Sequence, residues 1–172
     1  MIHLKTTVAL LVSIIAMGCV KARNIQQPVP GAIEVTLPDS VPHVIDAAET
    51  VIADEGIGIQ LSDRKRGVVE SSFIDIGQVR ATTDRSSYLP DERNVRFRFW
   101  TRPTFGGTRL SAEVVFYQFL GIDSGKAMEK MVPGDHAGRE VVTRMVAKIE
   151  ARLRAQREKR KEEGQRTPPP AS

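Results

Sequence analysis

The chain has 172 residues, of which 41% are hydrophobic and 27% are charged, which suits one globular domain with terminal tails. Its single cysteine excludes an intramolecular disulfide and a metal site built from several cysteines. The formal net charge of +4 is modest and concentrated towards the C-terminal end. It therefore gives no indication of a nucleic-acid partner.

Residues 1–18 have the organisation of a signal peptide. Lys5 supplies a positive side-chain charge ahead of the apolar run of residues 8–17. A bilayer span takes about 20 residues, so this run is too short to be one. It has the length of the apolar region of a secretory signal, and the sequence predicts export.

A lipidation motif follows the apolar run. Ala16 and Gly18 are small residues that let the chain enter a peptidase cleft in extended form, and Cys19 offers a thiol for acylation. These residues resemble the lipobox of bacterial lipoproteins processed by signal peptidase II. The resemblance implies cleavage between Gly18 and Cys19 and a membrane anchor on Cys19. The alternative is an ordinary secretory signal with an incidental cysteine.

The residue after the cysteine bears on the destination. In Gram-negative relatives of this class, an Asp directly after the lipidated cysteine is the usual signal for retention in the inner membrane. Val20 stands there in this chain. The resemblance therefore implies a lipoprotein that faces the periplasm, in the outer membrane rather than the inner one.

The rest of the chain divides into three parts. Residues 19–31 are polar with two prolines, which predicts a flexible tether. Residues 32–155 are expected to form the folded domain. Residues 156–172 are charged and then proline-rich, which predicts a disordered tail.

The first predicted helix has Asp39 or Ser40 as its N-cap and ends at Gly56. Its apolar residues recur with helical period: Val44, Ile45, Ala48, Val51 and Ile52. Alternating apolar residues then predict a strand over residues 57–61. After a polar turn, residues 68–76 are expected to form the returning strand.

The clearest pattern is a hairpin, in which residues 95–102 and 110–119 flank the Gly106-Gly107 pair. With those glycines at the turn centre, Phe97 is expected opposite Phe116, and Phe99 opposite Val114. One face is apolar and predicted to be core: Val95, Phe97, Phe99, Ala112, Val114 and Phe116. The opposite face carries Arg96, Arg98, Trp100 and Arg102 beside Ser111, Glu113, Val115 and Tyr117.

A second helix is predicted over residues 137–155, with Asp135 as its N-cap. The order of helix, four strands and helix predicts an α+β fold. We expect a two-layer sandwich in which an antiparallel sheet of about four strands has both helices packed on one face.

Residues 43–76 resemble one repeat of the BamC-type lipoproteins of the outer-membrane β-barrel assembly machinery. The shared pattern is an amphipathic helix, a Gly step at Gly56, a strand, a charged turn ending at Gly67, and another strand. Ile57 stands where that family has an aromatic residue. The resemblance implies a small non-enzymatic envelope domain.

The sequence offers little for catalysis. His43 and His136 each lie at a predicted helix start, where we expect them to be solvated. Asp135 beside His136 is compatible with part of a triad, but the chain has no Gly-x-Ser-x-Gly nucleophile elbow. It also lacks the His-Glu-x-x-His motif of zinc enzymes. We therefore expect no enzymatic activity, no cofactor and no metal.

The polar hairpin face is the candidate partner-binding surface: Arg96, Arg98, Trp100, Arg102 and Tyr117. Arginines pair with carboxylates or phosphates and stack on aromatic rings, so such a face suits another envelope protein, an acidic glycan or lipid headgroups. The alternative is a solvated sheet face in which Glu113 pairs with Arg98 and Arg102.

These patterns predict a non-catalytic envelope lipoprotein, an accessory or scaffold component of an outer-membrane-associated complex. The alternative is a module that binds a lipid or another hydrophobic ligand between helices and sheet. An envelope hydrolase has the least support.

Overall fold

The computed structural model describes residue 28 and residues 30–79, 93–119 and 127–166. The predicted signal peptide, the lipobox with Gly18 and Cys19, and most of the predicted tether lie outside the described residues. In the part of the chain that is described, no helix combines the length and the apolar character needed to cross a bilayer.

The fold is α+β, as predicted, with one antiparallel sheet. The strands are β1 (Ile33–Leu37), β2 (Ile59–Asp63), β3 (Val68–Ser71), β4 (Ile74–Asp75), β5 (Asn94–Thr104), β6 (Gly107–Phe119) and β7 (Ala127–Met131). The helices are α1 (Val41–Asp54), the short α2 (Ile76–Val79) and α3 (Ala137–Arg166).

The sheet has seven described strands, so the prediction of about four was too low. Its main path is β1-β6-β5-β3-β2, with β4 pairing with β5 and β7 pairing with β6. The prediction missed β1 and β7, which are short, with five residues each. The predicted strand of residues 68–76 is interrupted, and its two parts, β3 and β4, both pair with β5.

Helix α1 begins and ends where the sequence predicts. Ser40 has extended backbone geometry and precedes Pro42, whose fixed φ favours the first turn of a helix. The Ser40 hydroxyl contacts Nδ1 of His43 at 3.1 Å instead of capping a backbone N–H. Beyond the helix, Gly56 takes a φ of 72°, a conformation that glycine adopts without steric cost.

The hairpin of β5 and β6 has the predicted faces but a different register. Val95 lies opposite Phe116, Phe97 opposite Val114, and Phe99 opposite Ala112. The predicted pairs Phe97–Phe116 and Phe99–Val114 are therefore wrong by two residues, because the turn is centred on Phe105 and Gly106. A shift of two residues leaves each side chain on its original face.

The predicted apolar face of the hairpin is buried and belongs to the core. Both long helices contribute to the same cluster of buried side chains, α1 through residues such as Ile45 and Ile52, and α3 through Met145, Ile149 and Leu153. One continuous core therefore joins the helices to the sheet.

Helix α3 is longer than predicted. It continues beyond residue 155 to Arg166, so the prediction of a disordered tail over residues 156–172 is wrong for residues 156–166. Residues 167–172 lie outside the described part. Asp39, in the loop before α1, pairs with Arg157 and Arg160 and gives the extension a tertiary contact.

Candidate functional site: the charged face of the sheet

The structure brings together Arg96, Arg98 and Trp100 on one face of β5, but it buries them. Their exposed fractions are 4%, 6% and 6%. Of the other two predicted surface residues, Arg102 is exposed and Tyr117 is half-buried. At these three residues the face is therefore neither the open basic and aromatic surface nor the solvated face that the sequence predicts, although the Arg98–Glu113 pair of the second prediction is present.

Carboxylates from the neighbouring strands surround the two buried arginines. We call Glu70, Arg96, Arg98, Glu113 and Glu129 the Arg–Glu cluster. The strand register assembles it, because Arg98 lies directly opposite Glu70 of β3 and Glu113 of β6. Cross-strand neighbours of opposite charge stabilise a sheet, and here the central strand has an acidic partner on each side.

Arg98 is the centre of this cluster. Its Nε donates to Oε1 of Glu70 at 2.6 Å, and its Nη1 lies 3.5 Å from Oε2 of Glu113. Its Nη2 donates to Oε1 of Glu129 on β7. The guanidinium also lies over the Trp100 ring, with Cζ 5.7 Å from the ring centroid. One side chain thus ties together β3, β5, β6 and β7.

The environment of Arg98 favours its charged form. Burial alone lowers the pKa of a guanidinium. The hydrogen bond to Glu129 and the negative charges of Glu129 and Glu70 outweigh that effect and raise the pKa of Arg98 above its ordinary value. Arg98 therefore stays a cation inside the sheet.

Arg96 binds the other side of the same carboxylate. Its Nη1 donates to Oε2 of Glu70 at 2.9 Å, and its Nη2 donates to Oε1 of Gln60 at 2.8 Å. Its guanidinium packs over the Phe73 ring at 4.3 Å, and Phe73 in turn contacts Tyr117 with ring centroids 5.3 Å apart. Phe73 therefore packs against the Arg96 guanidinium and Tyr117 packs against Phe73, so the two rings do not form an open aromatic surface.

Two polar atoms of this face lack a hydrogen bond among the described residues: Nε1 of Trp100 and Nε of Arg96, both buried. An unpaired buried donor costs about 1–3 kcal/mol. The two unpaired donors therefore offset part of the stabilisation that the ion pairs of this face provide.

Sequence reasoning identified Arg96, Arg98, Trp100 and Glu113 but missed Glu70, Glu129 and Gln60. The Arg98–Glu113 pair of the predicted alternative is present, whereas the Arg102–Glu113 pair is not among the described ion pairs. Arg102 instead lies opposite Arg109. Assigning Glu70 and Glu129 required the pairing of β3 with β5 and of β6 with β7, which the sequence pattern did not reveal.

The predicted solvation of His136 is wrong. It is 3% exposed, and its Nδ1 accepts a hydrogen bond from the backbone N–H of Gly138 at 3.0 Å. It directly precedes α3 and satisfies one of the free N–H groups of the first turn. The N-cap role predicted for Asp135 therefore belongs to His136. His43 is exposed, as the sequence predicts.

Within the described residues, no three His, Cys, Asp or Glu side chains are grouped so that they would hold a metal ion. The described part of the chain is an α+β domain. Its sheet holds the buried Arg–Glu cluster on one face and the apolar core on the other. No protein-family model matches the chain, and no curated protein matches it at a significant level.

Proposed function

We propose that this chain is a non-catalytic envelope lipoprotein, anchored through Cys19 and acting as an accessory or scaffold component of an outer-membrane-associated complex. The lipobox residues Ala16, Gly18 and Cys19 support the anchor. The anchored domain then faces the periplasm. Two or more acyl chains are needed for stable attachment to a bilayer, and lipoproteins of this class carry them on the cysteine.

The observation that carries the scaffold role is the Arg–Glu cluster. Arg98 is held by Glu70, Glu113 and Glu129, and Arg96 by Glu70 and Gln60. These charged groups bind one another and lock four strands of the sheet together. We take the sheet fixed by these ion pairs as the platform of the proposed scaffold.

We also propose that the domain is a two-layer sandwich with α1 and α3 on the same side of the sheet. The support is the single core cluster, which joins both helices to alternate residues of β5 and β6. The hydrophobic-ligand alternative places its ligand in that same region. Since apolar side chains of helices and sheet already occupy it, we favour the scaffold.

The test of the anchor is the Cys19→Ala variant, because a thiol is needed for acylation. Its expected result is loss of the protein from the membrane fraction and loss of label after growth with a radioactive or clickable fatty acid. The matched control is Ser13→Ala, which changes a small residue inside the apolar run and leaves the cysteine in place. Retention of Cys19→Ala in washed membranes without lipid would contradict the proposal.

A further inference from the structure

The turn of the β5–β6 hairpin presents a fully exposed phenylalanine. Phe105 is the most exposed large hydrophobic residue of the described chain. Arg102 and Arg109 lie directly opposite each other in the third residue pair from the turn, and both are exposed. Like charges in directly opposed positions destabilise a sheet, and neither arginine has an ion pair with a described residue. Folding alone gives no reason for this arrangement.

A second element brings positive charge to the same end of the sheet. The backbone N–H of Thr101 donates to the carbonyl of Gly67 at 2.7 Å, and its hydroxyl donates to the same oxygen at 3.0 Å. These bonds hold the β2–β3 turn against the hairpin. The exposed side chain of Lys65 therefore lies at the hairpin end of the sheet.

Helix α3 lies beside the same hairpin. The hydroxyl of Thr108, next to the hairpin turn, donates to the carbonyl of Asp39 at 2.7 Å. The Asp39 carboxylate pairs with both Arg157 and Arg160. These pairs hold two arginines of α3 beside the hairpin, but residues 157–163 carry four basic and three acidic side chains, so with Asp39 this part of the helix is neutral.

We propose that this end of the domain binds an anionic phospholipid surface, and we name it the basic tip. Its residues are Lys65, Arg102, Phe105 and Arg109. Phe105 enters the boundary between headgroups and acyl chains, while Arg102 and Arg109 bind lipid phosphates. Aromatic and basic side chains together favour this interfacial zone.

The shape of the basic tip identifies its partner. A small anion is bound in a concave site, where several donors converge on it. Here the aromatic ring stands at the turn of a hairpin, and the charges come from the hairpin strands and from the β2–β3 turn beside it. A convex, positively charged end of the domain is complementary to the deformable, negatively charged surface of an anionic bilayer. The inference is independent of Cys19, since it concerns residues far along the chain from the anchor.

The test uses the full chain, which has one cysteine. In a Cys19→Ser background, Phe105→Cys gives a single site for an environment-sensitive fluorophore, and Lys130→Cys gives the matched control on exposed β7. The labelled proteins are mixed with vesicles of phosphatidylcholine alone or of phosphatidylcholine with phosphatidylglycerol. The two labelled proteins carry the same apolar N-terminal run, so any contribution of that run to vesicle binding is the same for both.

We expect a blue shift of the probe at position 105 with the anionic vesicles and not with the neutral ones, and no shift at position 130. Adding Arg102→Ser and Arg109→Ser should lower the apparent affinity for anionic vesicles about 25-fold, because each basic residue near an anionic surface contributes about a factor of five. High salt should also weaken it, because the Debye length falls to about 3 Å at 1 M ionic strength.

Three results would overturn the proposal. One is a probe at position 105 that stays in water while the chain sediments with anionic vesicles, which would assign vesicle binding to another part of the chain. The others are an equal shift at position 130, and a shift that survives the replacement of both arginines. Far-ultraviolet circular dichroism of each variant establishes that the fold is intact.

Discussion

Arg98 shows how one residue can join several strands. Moving a guanidinium out of water costs several kcal/mol, and opposed carboxylates offset that cost only when their geometry is good. Glu70, Glu113 and Glu129 approach it from three strands. Because its pKa is raised, the stabilisation that Arg98 provides is fully present below the ordinary pKa of arginine and is lost only above it. Its titration therefore has no influence near neutral pH.

Removal of Arg98 tests this arrangement. Arg98→Met keeps most of the apolar stem but removes the cation that Glu70, Glu113 and Glu129 share, and breaking a buried pair costs about 3–5 kcal/mol. We expect that loss in the free energy of unfolding from urea titration. The control is Arg102→Met on the same strand, where an exposed side chain should change stability by less than about 0.5 kcal/mol. Equal effects of the two variants would show that the cluster adds little.

Gly67 and Gly106 form a second pair of residues for comparison. Both have positive φ, 69° and 84°, so alanine at either position is strained by about 1–2 kcal/mol. A Cβ at position 67 would also lie 2.3 Å from the carbonyl oxygen of Thr101, whereas nothing lies within 4 Å at position 106. We expect Gly67→Ala to lower the free energy of unfolding by about 1–3 kcal/mol more than Gly106→Ala. Thermal or urea unfolding measures the difference in stability between the two variants. No difference would mean that the β2–β3 turn moves away from Thr101 without cost.

At the scale of elements, the C-terminal part of α3 depends on a distant contact. Its sequence beyond residue 155 has polar residues all round, and such a helix gains little from burial. The Asp39 side chain, which is 2% exposed, binds Arg157 and Arg160 and holds this part against the loop before α1. The helix extension is thus stabilised by a residue more than a hundred positions earlier.

Asp39→Asn should loosen that extension. We expect amide hydrogen exchange of residues 157–166 to become about tenfold faster, which corresponds to the loss of a charge-assisted contact of about 1.4 kcal/mol. The control is Lys159→Gln, which removes an exposed pair with Glu163 and should have a smaller effect. Unchanged exchange in Asp39→Asn would mean that the extension is stable by itself.

The sequence predicted those elements whose side chains carry a periodic signal. The stripe of α1 and the alternation of β5 and β6 each repeat over enough residues to define a buried face. The hairpin register was wrong because two overlapping pairs, Phe105-Gly106 and Gly106-Gly107, are both acceptable turn centres. Short strands such as β4 and β7 depend on pairing with a long neighbour, and the charged partners of Arg98 depend on that pairing too.

For the whole molecule, the two ends of the sheet have different roles. β1 begins beside Ala112 and ends beside Thr108, so the chain enters the sheet away from the hairpin turn. At the entry end, Arg139 donates to the carbonyl of Gly31 at 3.2 Å. The basic tip lies at the other end, so the proposed anchor and the proposed lipid contact belong to opposite ends of the domain.

The antiparallel pairing of β1 with β6 also has a mechanical consequence. Tension between a lipid anchor upstream of β1 and a contact at the hairpin turn pulls β1 along its own axis and β6 in the opposite direction. The hydrogen bonds of an antiparallel pair run perpendicular to the strands, so this load shears them together instead of opening them one after another. Strand β1 is therefore oriented to bear force between the two proposed attachment points.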